Sequence, residues 1–173
     1  VARWQDLIAR TDLQGVIIAT PDHWHAAMAI AAIEAGKDVY LETPMALDIA
    51  QAAAVRQAAA KSNRVVQIGA QETSAPSWHA ARAFLQEGRG GAVRWGQGGA
   101  VRSGVPAAAE TAIAAGDVDW EAFQGPAERR PFDADRFLNW RKYWDYSAGA
   151  AADEHFRQTA ALVFAMNADY PER

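Results

Sequence analysis

Val16-Ile17-Ile18-Ala19-Thr20-Pro21-Asp22 is the stretch that decides the fold. Its four leading residues are apolar, three of them β-branched, and read as a short strand buried on both faces. Thr20-Pro21 ends that strand, and Asp22 stands where a helix cap is wanted. From His23 to Ala35 the apolar positions Ala26, Ile30 and Ile33 recur at helical spacing, and Gly36 supplies the stop.

Outward from this unit the pattern repeats twice. Asp38-Val39-Tyr40-Leu41 reads as a second strand, ended by Glu42-Thr43-Pro44. An alanine-rich helix is predicted from about Ile49 to Lys61, with Asp48 as its cap and Gln51 three residues on, a capping-box arrangement. Val65 to Gly69 reads as a third strand with Gln71 just beyond it. A helix over Ala75 to Gln86 follows, with Trp78, Ala81, Phe84 and Leu85 on its apolar face. Strands alternating with helices predict parallel strands joined by right-handed crossovers, hence part of a doubly wound α/β sheet of the Rossmann type. Ligands of such sheets bind beyond the carboxyl ends of the strands. Here those ends carry Thr20-Pro21, Glu42-Thr43-Pro44 and Gln71, and three such ends side by side would line one crevice. Any one of them alone reads as an ordinary loop.

After Gly88-Arg89-Gly90-Gly91 the character changes, which places a domain boundary there: 1–88, a partial dinucleotide-binding domain, and 89–173, the start of a second α/β domain with a mostly antiparallel sheet. Val93 to Arg102 reads as a strand containing three glycines, and Ser103 to Ala148 as a long irregular stretch rich in Pro, Trp and Phe. The Ala107–Ala115 segment has helix-forming composition that decides little. The chain starts at Val1 inside a helical pattern (Trp4, Leu7, Ile8), so a preceding segment is expected.

The bulk numbers exclude several functions. A net charge of -4 fits neither a nucleic-acid nor an anionic-membrane partner. No apolar run is long enough for a membrane span. Without cysteine there is no disulfide, thiolate ligand or thiol nucleophile. A cytoplasmic setting is expected, with export left open. His23-Trp24-His25 looks like a metal pair, but residues two apart on a helix diverge, so packing at the helix start is the expectation and no metal site. Gly88-x-Gly90 and Gly96-x-Gly98 do not stand between a strand and a helix, and neither is a phosphate loop. From Glu128 to Tyr146 five bases face four acids among many aromatics. That balance predicts an internally paired segment, one that could reach over a ligand crevice, and argues against a single-strand nucleic-acid groove. No serine or cysteine triad has recognisable context, and a carboxylate pair for glycoside hydrolysis stays open because sequence gives no distances.

Five stretches taken together resemble the glucose–fructose oxidoreductase / inositol dehydrogenase / MocA (Gfo/Idh/MocA) family. They are VIIATPDHWH (16–25), GKDVYLETPMA (36–46), VVQIGAQ (65–71), VDWEAFQGP (118–126) and RFLNWRKYWDYSAG (136–149), in the family's order and spread over most of the chain. The resemblance implies a nucleotide-binding domain, an α/β domain with a large open sheet, and a crevice between them where NAD or NADP meets a sugar or polyol. It implies that Thr20, Pro21 and His25 lie near the cofactor, Glu42 and Pro44 beside its nicotinamide end, and that Gln71 approaches it. Trp140 and Arg141 would come from the second domain.

Three positions depart from the family's pattern. Its Glu-Lys-Pro reads Glu42-Thr43-Pro44, and a threonine hydroxyl lacks both the charge and the proton affinity of that lysine. Beyond Asp153, the family's histidine and aspartate positions hold Arg157 and Ala160. Arginine stays protonated and cannot be a general base; His155 would substitute only if the local register were altered. The expectation is a fragment of an NAD(P)-dependent oxidoreductase, inactive as this chain, acting in its parent on a small carbohydrate-like alcohol, with self-association of the chain expected. The alternatives are a degenerate, non-catalytic binding or assembly member and an NAD-dependent glycoside hydrolase relative.

Overall fold

In the computed structural model, residues 3–99 and 113–168 are described. The elements are α1 (Trp4–Ile8), β1 (Gly15–Ile18), α2 (Asp22–Glu34), β2 (Asp38–Leu41), α3 (Ile49–Lys61), β3 (Val66–Ile68), α4 (Pro76–Gln86), α5 (Trp120–Gln124), α6 (Ala134–Leu138) and α7 (Gly149–Met166). By internal contacts the chain forms two units, one of residues 1–69 with 105–149 and one of residues 70–104 with 150–173. Packing defines these units, whereas the division at residue 88 is read from the change in sequence character and belongs to the proposal made below.

In the first unit β1, β2 and β3 form a parallel sheet in sequence order, with Ile18 opposite Leu41 and Leu41 opposite Ile68. One face carries the core. Ile18, Val39 and Leu41 meet Ala26, Met28, Ala29, Ala32 and Ile33 of α2 and Val55 of α3. Ala29 and Ala32 are fully buried, so a helix with almost no side chain at these points can lie close on the sheet. Burying a side chain the size of Leu41 contributes about 1.5–3 kcal/mol. Asp48 caps α3 as expected, accepting from the Gln51 amide at 2.8 Å. The reciprocal half of the box is absent: the Gln51 side chain accepts from the Leu47 amide instead, at 3.3 Å.

The second part of this unit is aromatic. Phe123 packs against Trp120, Phe137 and Tyr146, and Trp120 against Phe132. Ion pairs close it on its surface, Arg136 to Asp145 at 2.6 Å and Arg130 to Glu128 at 2.6 Å, which is the internally paired segment read from the charges. In the second unit Phe164 of α7 meets the His79 ring edge-on and lies under the Arg82 guanidinium of α4.

Four expectations need correction. Asp22 is the first residue of α2 rather than its cap, because its carboxylate is used elsewhere; Pro21 holds the cap position. The first strand runs Gly15–Ile18 and is covered on one face only, with Ile17 76% exposed, since among the described residues no layer lies over that side. The strand expected over Val93–Arg102 does not form at residues 93–99. Gly96 and Gly98 there lie against Leu162, Met166 and Gln158 of α7, so a helix and not a neighbouring strand is their partner. The remainder of that strand and most of the Ala107–Ala115 segment lie outside the described residues. The irregular stretch after residue 103 contains α5, α6 and 3₁₀ turns at Ala115–Asp117 and Trp140–Lys142. Among the described residues, no helix is long and apolar enough to cross a membrane.

β1 has a neighbour on one side only among the described residues, and its edge carries neither proline nor charge. Such an edge pairs with other chains. Size-exclusion chromatography with light scattering is expected to show self-association of the chain, reduced by Ile17→Lys. A monodisperse wild-type monomer with strongly protected amides at residues 16–18 would contradict this.

Candidate functional site

The parallel pairing of β1 with β2 brings two loops to one end of the sheet. β1 runs into Thr20-Pro21, and β2 runs into Glu42-Thr43-Pro44, with the Thr43–Pro44 bond cis. Thr43 is 7% exposed and Pro44 is buried; Glu42 and Thr20 are half-buried. The Glu42 carboxylate lies over Gly69 at the end of β3. A Cβ at Gly69 would stand 2.7 Å from Glu42 Oε2 and 3.2 Å from the Tyr40 hydroxyl, so the missing side chain is what lets the carboxylate rest there. The Thr20 hydroxyl points to Met28 Sδ at 3.8 Å.

The first turn of α2 rises directly behind these loops, and each of its polar side chains is committed. Asp22 accepts from the Ser147 hydroxyl and the Ala148 amide, both at 3.0 Å. The His23 amide donates to the Tyr146 carbonyl, and His23 Nε2 lies 2.8 Å from the Phe123 carbonyl oxygen, which also accepts from the Trp24 indole. His25, 1% exposed, has Nδ1 2.6 Å from Pro44 O and Nε2 2.8 Å from Thr20 O. Both imidazoles of the apparent metal pair are thus packing groups at the helix start. The N-terminus of α2, where a phosphate could otherwise sit, is covered by the 146–148 backbone.

Burial pushes the His23 imidazole below its ordinary proton affinity, against the smaller opposing pull of the Phe123 and Tyr146 carbonyls and Asp22. With Nε2 donating to Phe123, the buried Nδ1 faces no donor or acceptor. In the same unit the Arg141 guanidinium stacks on its neighbour Trp140, 4.0 Å from the ring centroid. Gln71, Asp153 and Arg157 belong to the second unit. There Gln71 opens a 3₁₀ turn and is exposed, while Asp153 on α7 is largely buried and pairs with Arg157 at 3.4 Å. Because α7 is unbroken, the exposed His155 lies on another side of the helix from Asp153 and Arg157. Sequence reasoning placed Asp22 as a cap and His23 as helix-start packing without their partners, and missed Ser147 and Gly69. The partners of the first three are about a hundred residues or more away in the chain, and nothing local to them signals the contact.

Residues 1–70 match the family model of the Gfo/Idh/MocA oxidoreductases, an oxidoreductase family with an NAD-binding Rossmann fold. This first segment is thus similar to that family. A glycosyl hydrolase family 109 protein of Shewanella baltica is 50% identical over 46 residues, which are 27% of this chain and 10% of that protein. The solved oxidoreductase domain protein of Kribbella flavida is 28% identical, with 96% of this chain and 38% of that one aligned at a TM-score of 0.67. A solved levoglucosan dehydrogenase in complex with NADH and levoglucosan is 34% identical, covering 51% of this chain and 24% of its own, at a TM-score of 0.50. The chain therefore spans well under half the length of these relatives.

The His23 environment gives this chain a defined response to acid. An unfolded histidine takes up a proton near about pH 6.5, and folded His23 does so only at lower pH. Between the two the unfolded state binds more protons, so stability falls as pH falls through that window and is constant above it. Urea titrations at a series of pH values should show this slope in wild type and lose it in His23→Gln, whose amide keeps a donor for Phe123. An identical slope in the variant would contradict the assignment.

Proposed function

We infer that this chain is part of an NAD(P)-dependent oxidoreductase that transfers hydride between the nicotinamide and a sugar or polyol-like alcohol, and that the 173-residue polypeptide is inactive in that reaction. The observation that carries the reading is the shared rim. Thr20-Pro21 and Glu42-Thr43-Pro44 stand together at the carboxyl ends of paired parallel strands, in a segment matching an NAD-binding family. In this reading residues 1–88 are part of the dinucleotide-binding domain and 89–173 the start of the substrate domain. Thr20 and Pro21 would face the cofactor, and Glu42, seated on Gly69, and Pro44 would lie at its nicotinamide end. Gln71 and the stacked Trp140-Arg141 pair would approach the same ligand. His25 would act from beneath, because both its ring nitrogens are already engaged. NAD(P) supplies the hydride acceptor; these residues bind and orient. A relative solved with NADH and levoglucosan supports the cofactor and the class of substrate.

The residues present fit the nicotinamide side of a dinucleotide and not its pyrophosphate. The latter needs backbone N–H groups at a glycine loop and a helix N-terminus. The 173 residues hold no glycine loop between a strand and a helix, and α2's first turn is occupied by Tyr146, Ser147 and Ala148. Proton transfer is impaired as well. Thr43 has a hydroxyl where the resemblance places an ammonium, and Arg157, held by Asp153, cannot give up its proton. The local 50% identity to a glycosyl hydrolase family 109 protein supports a second reading, glycoside cleavage through transient oxidation by bound NAD.

Titration with NADH and NADPH by fluorescence or calorimetry is expected to give weak binding or none; submicromolar affinity for either would sink the account. Catalysis is tested in a chimera in which a relative's first βαβ unit and remaining second domain flank residues 1–173. With the native residues it should be slower than its Thr43→Lys, Arg157→His, Ala160→Asp counterpart by about 10²–10⁴-fold, the worth of general acid–base assistance. Equal dehydrogenation of sugars by the two would contradict the assignment, and release of the aglycone from chromogenic glycosides would favour the hydrolase reading.

A further inference from the structure

The residues of α1, the start of α2 and the segment from Asp119 to Arg129 line a groove of about 550 Å³ that shares no residue with the strand-end rim. All of its lining belongs to the first unit, and its volume falls in the range of small-molecule sites. One wall is aromatic. Trp4 and Trp24 meet edge to face, with ring centroids 5.9 Å apart. A Cβ at Gly125 would stand 2.2 Å from Trp24 Cζ2, and the φ of +51° at this residue also favours glycine, so the chain is open here to admit the indole. The Trp24 N–H donates to the Phe123 carbonyl at 3.2 Å, which fixes the ring and leaves its carbon surface for the groove.

The charged side chains of the lining fall into a committed pair and an open pair. Arg129 donates to the Glu121 carbonyl at 3.0 Å, and its guanidinium lies 3.4 Å from the Glu121 carboxylate, so these two neutralise each other. Asp119 uses one carboxylate oxygen to accept from the Ala122 amide at 3.0 Å; its other oxygen has no partner among the described residues. The Arg3 guanidinium likewise meets no partner among the described residues. A ligand that complements this lining carries both signs of charge. Its carboxylate suits the planar donor fork of Arg3, its ammonium suits Asp119, and a flat apolar body suits the two tryptophans. An anion or a cation alone leaves one charge unanswered, and a sugar answers neither.

We propose that this groove is a binding site for a free aromatic amino acid, with Arg3 holding the α-carboxylate, Asp119 the α-ammonium, and Trp4 and Trp24 the ring. The site is separate from the strand-end rim and stands or falls independently of the oxidoreductase reading. Arg3 and Asp119 are exposed, so solvent screens both ion pairs and the affinity is modest, with a Kd of about 1 mM.

Calorimetric titration of the 173-residue chain with L-phenylalanine, phenethylamine and 3-phenylpropionate tests this. The second compound lacks the carboxylate and the third lacks the ammonium. L-phenylalanine is expected to bind about tenfold more tightly than either, the worth of one charge-assisted hydrogen bond. Two variants then assign the charges. Arg3→Gln should lose the preference for L-phenylalanine over phenethylamine and keep the preference over 3-phenylpropionate. Asp119→Asn, whose amide oxygen still caps the Ala122 amide, should do the reverse. Both side chains are exposed, so neither change disturbs the core. No saturable binding of L-phenylalanine, equal binding of the three compounds, or wild-type preferences persisting in either variant would overturn the proposal.

Discussion

Everything at the candidate site hangs on the first turn of α2. Asp22, His23 and His25 are buried, and each binds backbone or hydroxyl groups outside the helix. His25 reaches forward to the loops after β1 and β2. Asp22 and His23 reach sideways to Tyr146, Ser147, Ala148 and Phe123. Three polar side chains within one helical turn inside a core would each cost several kcal/mol if left unpaired. Their pairing therefore specifies a single placement of the helix between the strand-end loops and the aromatic segment. The alanines further along α2 permit a close approach to the sheet, and the polar turn fixes where that approach stops.

That constraint has a functional side. The same helix N-terminus that orders the rim is closed by the 146–148 backbone, so it holds protein where an anion could otherwise sit. The rim itself is ordered from beneath, with His25 reaching the Thr20 and Pro44 carbonyls and Thr43 buried between them in the chain.

Much of the fold was legible in residues 16–86. β-branched runs ended by Thr-Pro, Glu-Thr-Pro and Gly, each followed by a capped or proline-led helix, carry their meaning locally, and the parallel order follows from chain alternation. Long-range partners were less legible. Asp22 reads as a helix cap from its neighbours, and only Ser147, 125 residues on, shows what the carboxylate is for. The strand expected at Val93 failed for a related reason: its apolar residues and glycines suit a sheet, but α7 is what lies against them. Ile17 looked like a core residue because its type says so, whereas exposure depends on what covers it. At the site, Thr20, Glu42, Thr43 and Pro44 were found by their position at strand ends; Gly69 was passed over because a glycine's use is visible only through the carboxylate that fills its space.

The central claim is that α2's first turn joins the strand-end loops and the 113–149 segment into one cooperative unit. Native-state hydrogen exchange across a urea series measures this directly. The account predicts that amides of α2, β2 and residues 120–148 open in one step, and that Asp22→Ala uncouples 120–148 while α3 remains protected. Independent opening of residues 120–148 in the wild-type chain, at a free energy unrelated to that of α2, would contradict it.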